Sequence, residues 1–101
     1  MSTSVSEIQI AKAQTVSLSA DSLSVDLIDG RTITVPIAWF PRLVHGTQKE
    51  RKHWVLIGSG EGIHWPDLDE DISVEALLLG CPSGESQNSL QKWLRSRTRK
   101  K

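Results

Sequence analysis

At 101 residues the chain has room for one domain and one modest hydrophobic core. A single cysteine, Cys81, excludes an internal disulfide and fits a cytosolic setting, and no run approaches the roughly 20 apolar residues that cross a bilayer. The formal net charge is zero, but the charge is segregated: from Glu61 to Glu75 every ionisable side chain except His64 is acidic, and from Lys92 onward all are basic, which points to self-docking or to a charged partner.

Met1–Glu7 is rich in Ser and Thr and lacks the apolar segment of a secretion signal, so residues 1–13 are expected to be disordered or loosely docked. Val16-Ser17-Leu18-Ser19 and Leu23-Ser24-Val25-Asp26-Leu27 alternate with the period of half-buried strands. Asp29-Gly30 then separates the second run from Arg31-Thr32-Ile33-Thr34-Val35, the pattern of a two-residue type I′ hairpin, and Pro36 ends the ladder. Pro41 opens a short helix in which Leu43 and Val44 are expected to be buried, with Gly46 as its stop. Thr47 followed by Glu50 reads as a capping box for a second short helix. Val55-Leu56-Ile57 is strand-like and Gly58-Ser59-Gly60-Glu61-Gly62 a tight connection, and Ile63-His64-Trp65 is a further short strand closed by Pro66. Ser73 caps a helix over Val74–Leu79 that Gly80 terminates. The last helix covers Ser86–Arg97 with Leu90, Trp93 and Leu94 on one face, and its cationic end suits the helix dipole. Strands first, small helices between and a helix at the end define an α+β class with a small antiparallel sheet built on a hairpin. One domain is expected over residues 14–97, with a basic tail at 98–101.

Three stretches taken together have a familiar order. Val25–Ile33 leads into Val35–Leu43; then come Trp54, Leu56-Ile57-Gly58 and the run Gly62–Glu75. Over roughly Ser17 to Gly80 this closely resembles the small bacterial family catalogued as domain of unknown function 2442, and Ser83–Ser86 resembles the C-terminal extension that some members carry. The resemblance implies a small α+β domain with no established activity. It also implies a genomic habit: some members are encoded beside another small protein in what look like toxin–antitoxin pairs, and others are fused to a helix-turn-helix domain. This chain has no room for that fusion, which counts against direct DNA binding.

Asp67, Asp69 and Asp71 have the spacing that opens an EF-hand loop, but Ile72 stands where that loop needs Gly and Leu78 where it needs Glu, so no such site is expected. His45, His53 and His64 lack zinc-ligand spacing and Cys81 has no paired partner, so neither metal nor cofactor is expected. Cys81 also follows a helix C-terminus, whose dipole disfavours a thiolate. The Gly-rich connection lacks the Lys-Ser/Thr ending of a phosphate loop.

The expected function is therefore a non-catalytic protein-interaction module, the antitoxin-like or adaptor half of a two-gene pair, with Glu61, His64, Trp65, Asp67, Asp69, Glu70 and Asp71 as its contact residues. Its partner would be a basic small protein encoded by the adjacent gene, in the cytoplasm and away from membranes; self-association stays open. One alternative is a nucleic-acid-binding regulator using Arg95, Arg97, Arg99, Lys100 and Lys101. Another is an enzyme built on His64 as general base with Glu61 or Asp67.

Overall fold

The structure, a computed structural model, describes residues 11–98. The expectations for residues 1–10 and 99–101 lie outside the described residues. The architecture is α+β, made of two three-stranded antiparallel sheets and short helices.

The first sheet joins β1 (Ala13–Leu18), β2 (Ser22–Leu27) and β3 (Thr32–Pro36) in that order. The alternation read from the sequence decides its two faces. Leu23, Val25 and Leu27 point inward and are essentially inaccessible to solvent. On the opposite face Thr15, Asp26 and Thr32 stand in one row across the strands. Both threonine hydroxyls donate to the Asp26 carboxylate at 2.7 Å. These bonds hold Asp26 below the usual carboxylate range, Thr32 contributing most. The β2–β3 hairpin is present, but its turn differs from the type I′ expectation. Gly30 N–H reaches the Leu27 carbonyl at 3.0 Å, and of the residues Ile28, Asp29 and Gly30 only Gly30 has positive φ. The loop is a type I turn followed by a left-handed glycine, because Asp29 spends its carboxylate on Arg31 instead of adopting positive φ itself.

Pro41 starts α1 (Pro41–Val44), and Leu43 is buried as expected. Val44 corrects the expectation: it is 41% exposed, because a helix of four residues turns only one face to the core. The capping box of α2 (Gln48–Lys52) is complete, with Glu50 N–H on the Thr47 hydroxyl and Thr47 N–H on the Glu50 carboxylate. Arg51 ties the two helices together by donating to the Leu43 and Val44 carbonyls at 2.8 and 2.9 Å, at the C-terminal end of α1.

The second sheet joins β4 (Val55–Ile57), β5 (Gly62–Trp65) and β6 (Glu70–Ser73) in that order. No strand is expected from the sequence after Pro66, where acidic residues lead up to the Ser73 cap. Residues 70–73 nevertheless form a strand in register with β5, Ile63 opposite Ile72 and Trp65 opposite Glu70. Pro66 to Asp69 make the hairpin loop, with Leu68 N–H on the Trp65 carbonyl at 3.2 Å and Asp69 at φ +54°, a conformation that short polar side chains tolerate. The inward face of this sheet carries Ile63, Trp65, Glu70 and Ile72. Trp65 is fully buried and its indole N–H donates to the Arg51 carbonyl at 3.0 Å. Burying a ring of that size contributes on the order of 5 kcal/mol before ordering entropy is subtracted.

After β6 come α3 (Val74–Leu79), capped by the Ser73 hydroxyl and closed by left-handed Gly80, and α4 (Gln87–Thr98). Val74 and Leu77 close the core from below, and α4 adds a single buried apolar side chain, Leu90.

Gly60 is the backbone position with least tolerance. Its φ is +102°, and a Cβ there would stand 2.6 Å from the Ala13 carbonyl oxygen, whereas Gly30 at φ +98° faces open space. Gly60→Ala is therefore expected to lower the unfolding free energy by roughly 2–4 kcal/mol, strain plus clash, and Gly30→Ala by only about 1. Urea denaturation of the two variants, compared at equal slope, checks the difference.

Candidate functional site

The alternation of β6 is what presents the acidic run. Glu70 and Ile72 turn inward, so Asp71 turns out, and Asp69 at the left-handed corner of the loop is exposed as well, with side chains 71% and 85% exposed. Glu61, immediately before β5, is also exposed. Two of the seven expected contact residues are not on this surface. Trp65 is buried for the packing reason given above, and Glu70 is 9% exposed.

Three carboxylates of the run have intramolecular partners. Asp67 meets His53 Nδ1 at 2.8 Å, Asp71 pairs with His64 Nδ1, and Asp69 lies 3.5 Å from Arg42 Nη1. His64 is thus bonded to Asp71 rather than to Glu61 or Asp67, because His64 and Asp71 are cross-strand neighbours on the outward face. Among the described residues no three His, Cys, Asp or Glu side chains gather as metal ligands.

Beneath the acidic bend lies an ionic cluster that the sequence reading did not single out. Arg42, on α1, donates from Nε to both oxygens of Glu85 at 2.9 and 3.0 Å and from Nη2 at 2.6 Å. Its Nη1 donates to the Asp69 carbonyl at 2.9 Å, which holds the left-handed corner of the bend. The Trp93 ring stacks 5.1 Å from the same guanidinium. The Glu85 bond raises Arg42 above its ordinary value, and Arg42 in turn holds the Glu85 carboxyl low. Arg97, one turn beyond Trp93, sits 4.7 Å from that ring and donates to Glu50 at 2.9 Å. That bond, with help from the capping-box contacts, keeps the Glu50 carboxyl low. Arg97 is therefore engaged, Arg95 is exposed, and Arg99, Lys100 and Lys101 lie outside the described residues. A signal for this cluster existed only in part: Glu50 was visible as a cap, but the separation of 43 positions from Arg42 to Glu85 conceals their contact.

Glu70 is the electrostatic anomaly of the cluster. Burial pushes its carboxyl up to about 7, Arg42 pulls it back, and Glu85, Asp71 and Asp69 push it further up. Between the bend and α4, Glu50, Pro66, Asp67, Asp69, Trp93 and Arg97 line a groove of about 580 Å³.

Comparison with known proteins adds the lineage. The model of a family described as protein of unknown function (DUF2442) matches residues 13–83, which ends short of α4. A crystal structure of a protein of unknown function from Rhodospirillum rubrum superposes with a TM-score of 0.66 at 25% identity, covering 78% of this chain and 98% of that one. The solution structure of an uncharacterized protein from Chromobacterium violaceum gives a TM-score of 0.62 at 18% identity, covering 80% and 74% respectively, a likeness of fold. No curated protein matches the chain significantly.

Two outcomes follow from the buried charges. The folded carboxyl of Glu70 binds a proton up to about pH 7, while the unfolded one loses it near 4.5. Its ionisation therefore costs stability as pH rises from 4.5 to 7, by at most about 3 kcal/mol. Glu70→Gln should flatten that decline in a pH series of urea melts. Arg42→Met should leave Glu85 unpaired and release α4, lowering stability by on the order of 3 kcal/mol. A red shift of tryptophan emission, lost in an added Trp93→Phe, reports the release.

Proposed function

The chain belongs to the family described as protein of unknown function (DUF2442), and from that premise we propose that it is a non-catalytic protein-interaction module docking a basic partner on the carboxylates of the Pro66–Asp71 bend. The observation that carries this reading is the fixed outward display of Asp69 and Asp71 on a corner whose inward side chains, Leu68, Glu70 and Ile72, are buried. A contact surface held by core packing loses little freedom on binding, so more of its interaction energy is realised as affinity. The neighbouring groove supports the same reading. Asp67 and Asp69 on its lining suit a lysine or arginine side chain from the partner, since carboxylates favour a cation, whereas Glu50 and the Trp93 ring, which also line it, are already held by Arg97.

The partner is proposed to be a small basic protein encoded by the adjacent gene, with this chain as the antitoxin-like or adaptor half of the pair. A nucleic-acid role through the helix end is favoured less, because Arg97 is committed to Glu50 and Trp93. A His64-based enzyme is favoured less as well, because Asp67 is bonded to His53 and leaves His64 with Asp71 alone.

Co-expression of the tagged chain with the adjacent gene product should recover both in one pull-down. Asp67→Asn, Asp69→Asn and Asp71→Asn together should weaken the complex at least about tenfold, roughly 1.4 kcal/mol, while the exposed pairs they remove cost the fold less than about 1 kcal/mol each. Titration calorimetry against the purified partner measures this. Undiminished affinity in the triple variant would move the docking face elsewhere.

A further inference from the structure

The second sheet ends on two unlike edges. β6 carries the carboxylates, and β4, hydrogen-bonded only to β5, forms the other edge. Val55, Leu56 and Ile57 on β4 are 43%, 38% and 44% exposed. Edge strands are normally blunted by lysine, proline, a bulge or a covering segment, because unpaired N–H and C=O groups recruit other strands. These three consecutive residues carry none of the first three devices.

We propose that this edge is closed by β4 of a second copy, antiparallel across a two-fold axis at Leu56, giving a continuous six-stranded sheet. Side-chain order is the first ground. β-branched Val55 and Ile57 flank Leu56, so the two-fold sets Leu56 against its own equivalent and each Val55 opposite Ile57 of the second copy, pairs that pack well across strands. Charge is the second and independent ground. The chain enters β4 from the exposed Lys49 and Lys52 of α2 and leaves it toward exposed Glu61. Lys52 and Glu61 have no ion-pair partner among the described residues. An antiparallel copy brings the basic entrance of each strand to the acidic exit of the other, at both ends, while a parallel copy sets like charges together. The interface uses the opposite edge of the sheet from the proposed partner face, so each can be tested without the other.

Sedimentation equilibrium of the full chain over a wide concentration range tests the proposal. The wild type should move reversibly between one and two chain masses. Leu56→Lys should stay at one mass with an unchanged circular-dichroism spectrum, and the milder Ile57→Thr should raise the dimer dissociation constant about tenfold. Lys52→Glu should weaken the dimer, and adding Glu61→Lys should restore it. In a Cys81→Ser background, Leu56→Cys should oxidise to a covalent dimer, since directly opposed strand residues lie within disulfide reach. A wild type that holds one chain mass throughout overturns the proposal. So does a Leu56→Lys dimer as tight as the wild type, a charge swap without restoration, or a Leu56→Cys chain that stays monomeric on oxidation.

Discussion

One guanidinium organises the half of this molecule that carries the acidic bend. Arg42 leaves a four-residue helix, grips Glu85 with a forked pair of hydrogen bonds, holds the carbonyl at the corner of the acidic bend and lies against Trp93. Its side chain is 15% exposed and that of Glu85 is 8%, so both charges are largely removed from water. Such a pair is not strong evidence of net stabilisation, because desolvation offsets much of the Coulomb gain. What it gives is geometry. The planar fork allows one arrangement of α1, the bend and the approach to α4, and each of these would move if the fork were replaced by a flexible ammonium. Glu70 completes the picture: with Arg42 already satisfied by Glu85, the second buried acid has no cation of its own and leans toward the protonated form.

The display of Asp69 and Asp71 depends on this arrangement and on the period of a strand. Two residues per repeat mean that burying Glu70 and Ile72 forces Asp71 out, and the left-handed corner at Asp69 is pinned by Arg42 Nη1. The surface is thus a by-product of core packing, which is why its geometry is fixed although the side chains are exposed. The histidines beside Asp67 and Asp71 hold those carboxylates in place through hydrogen bonds from their rings.

Local devices were legible in the sequence, and long-range ones were not. The Thr47–Glu50 box, the Ser73 cap, the Gly80 stop and the strands of the first sheet each arise from residues a few positions apart, where the physics is written in the spacing. β6 was hidden because a glutamate occupies an inward position opposite Trp65, where an acidic side chain reads as solvated. Trp65 read as a contact anchor because its neighbours are charged; its inward phase is set by pairing with Glu70 across the hairpin, and that pairing needs β6. Arg42 follows a helix-opening proline, and nothing in its neighbours along the chain marks Glu85 or Trp93 as its partners. The family resemblance, by contrast, rested on an ordered set of short motifs and survives comparison, as does the α+β class.

The means by which α4 is attached has a consequence for how the molecule comes apart. Leu90 is its one buried side chain among the described residues, half-buried Trp93 packs against the core, and its polar hold includes the Arg42–Glu85 fork beside its start, the Arg97–Glu50 pair and two guanidiniums against one indole. Attractions between charges are screened by added electrolyte, whereas the apolar contacts of the two sheets are not. At high ionic strength the helix loses the ionic part of its hold while the sheets keep theirs, at a point in the chain close to where the family-matched segment ends at residue 83.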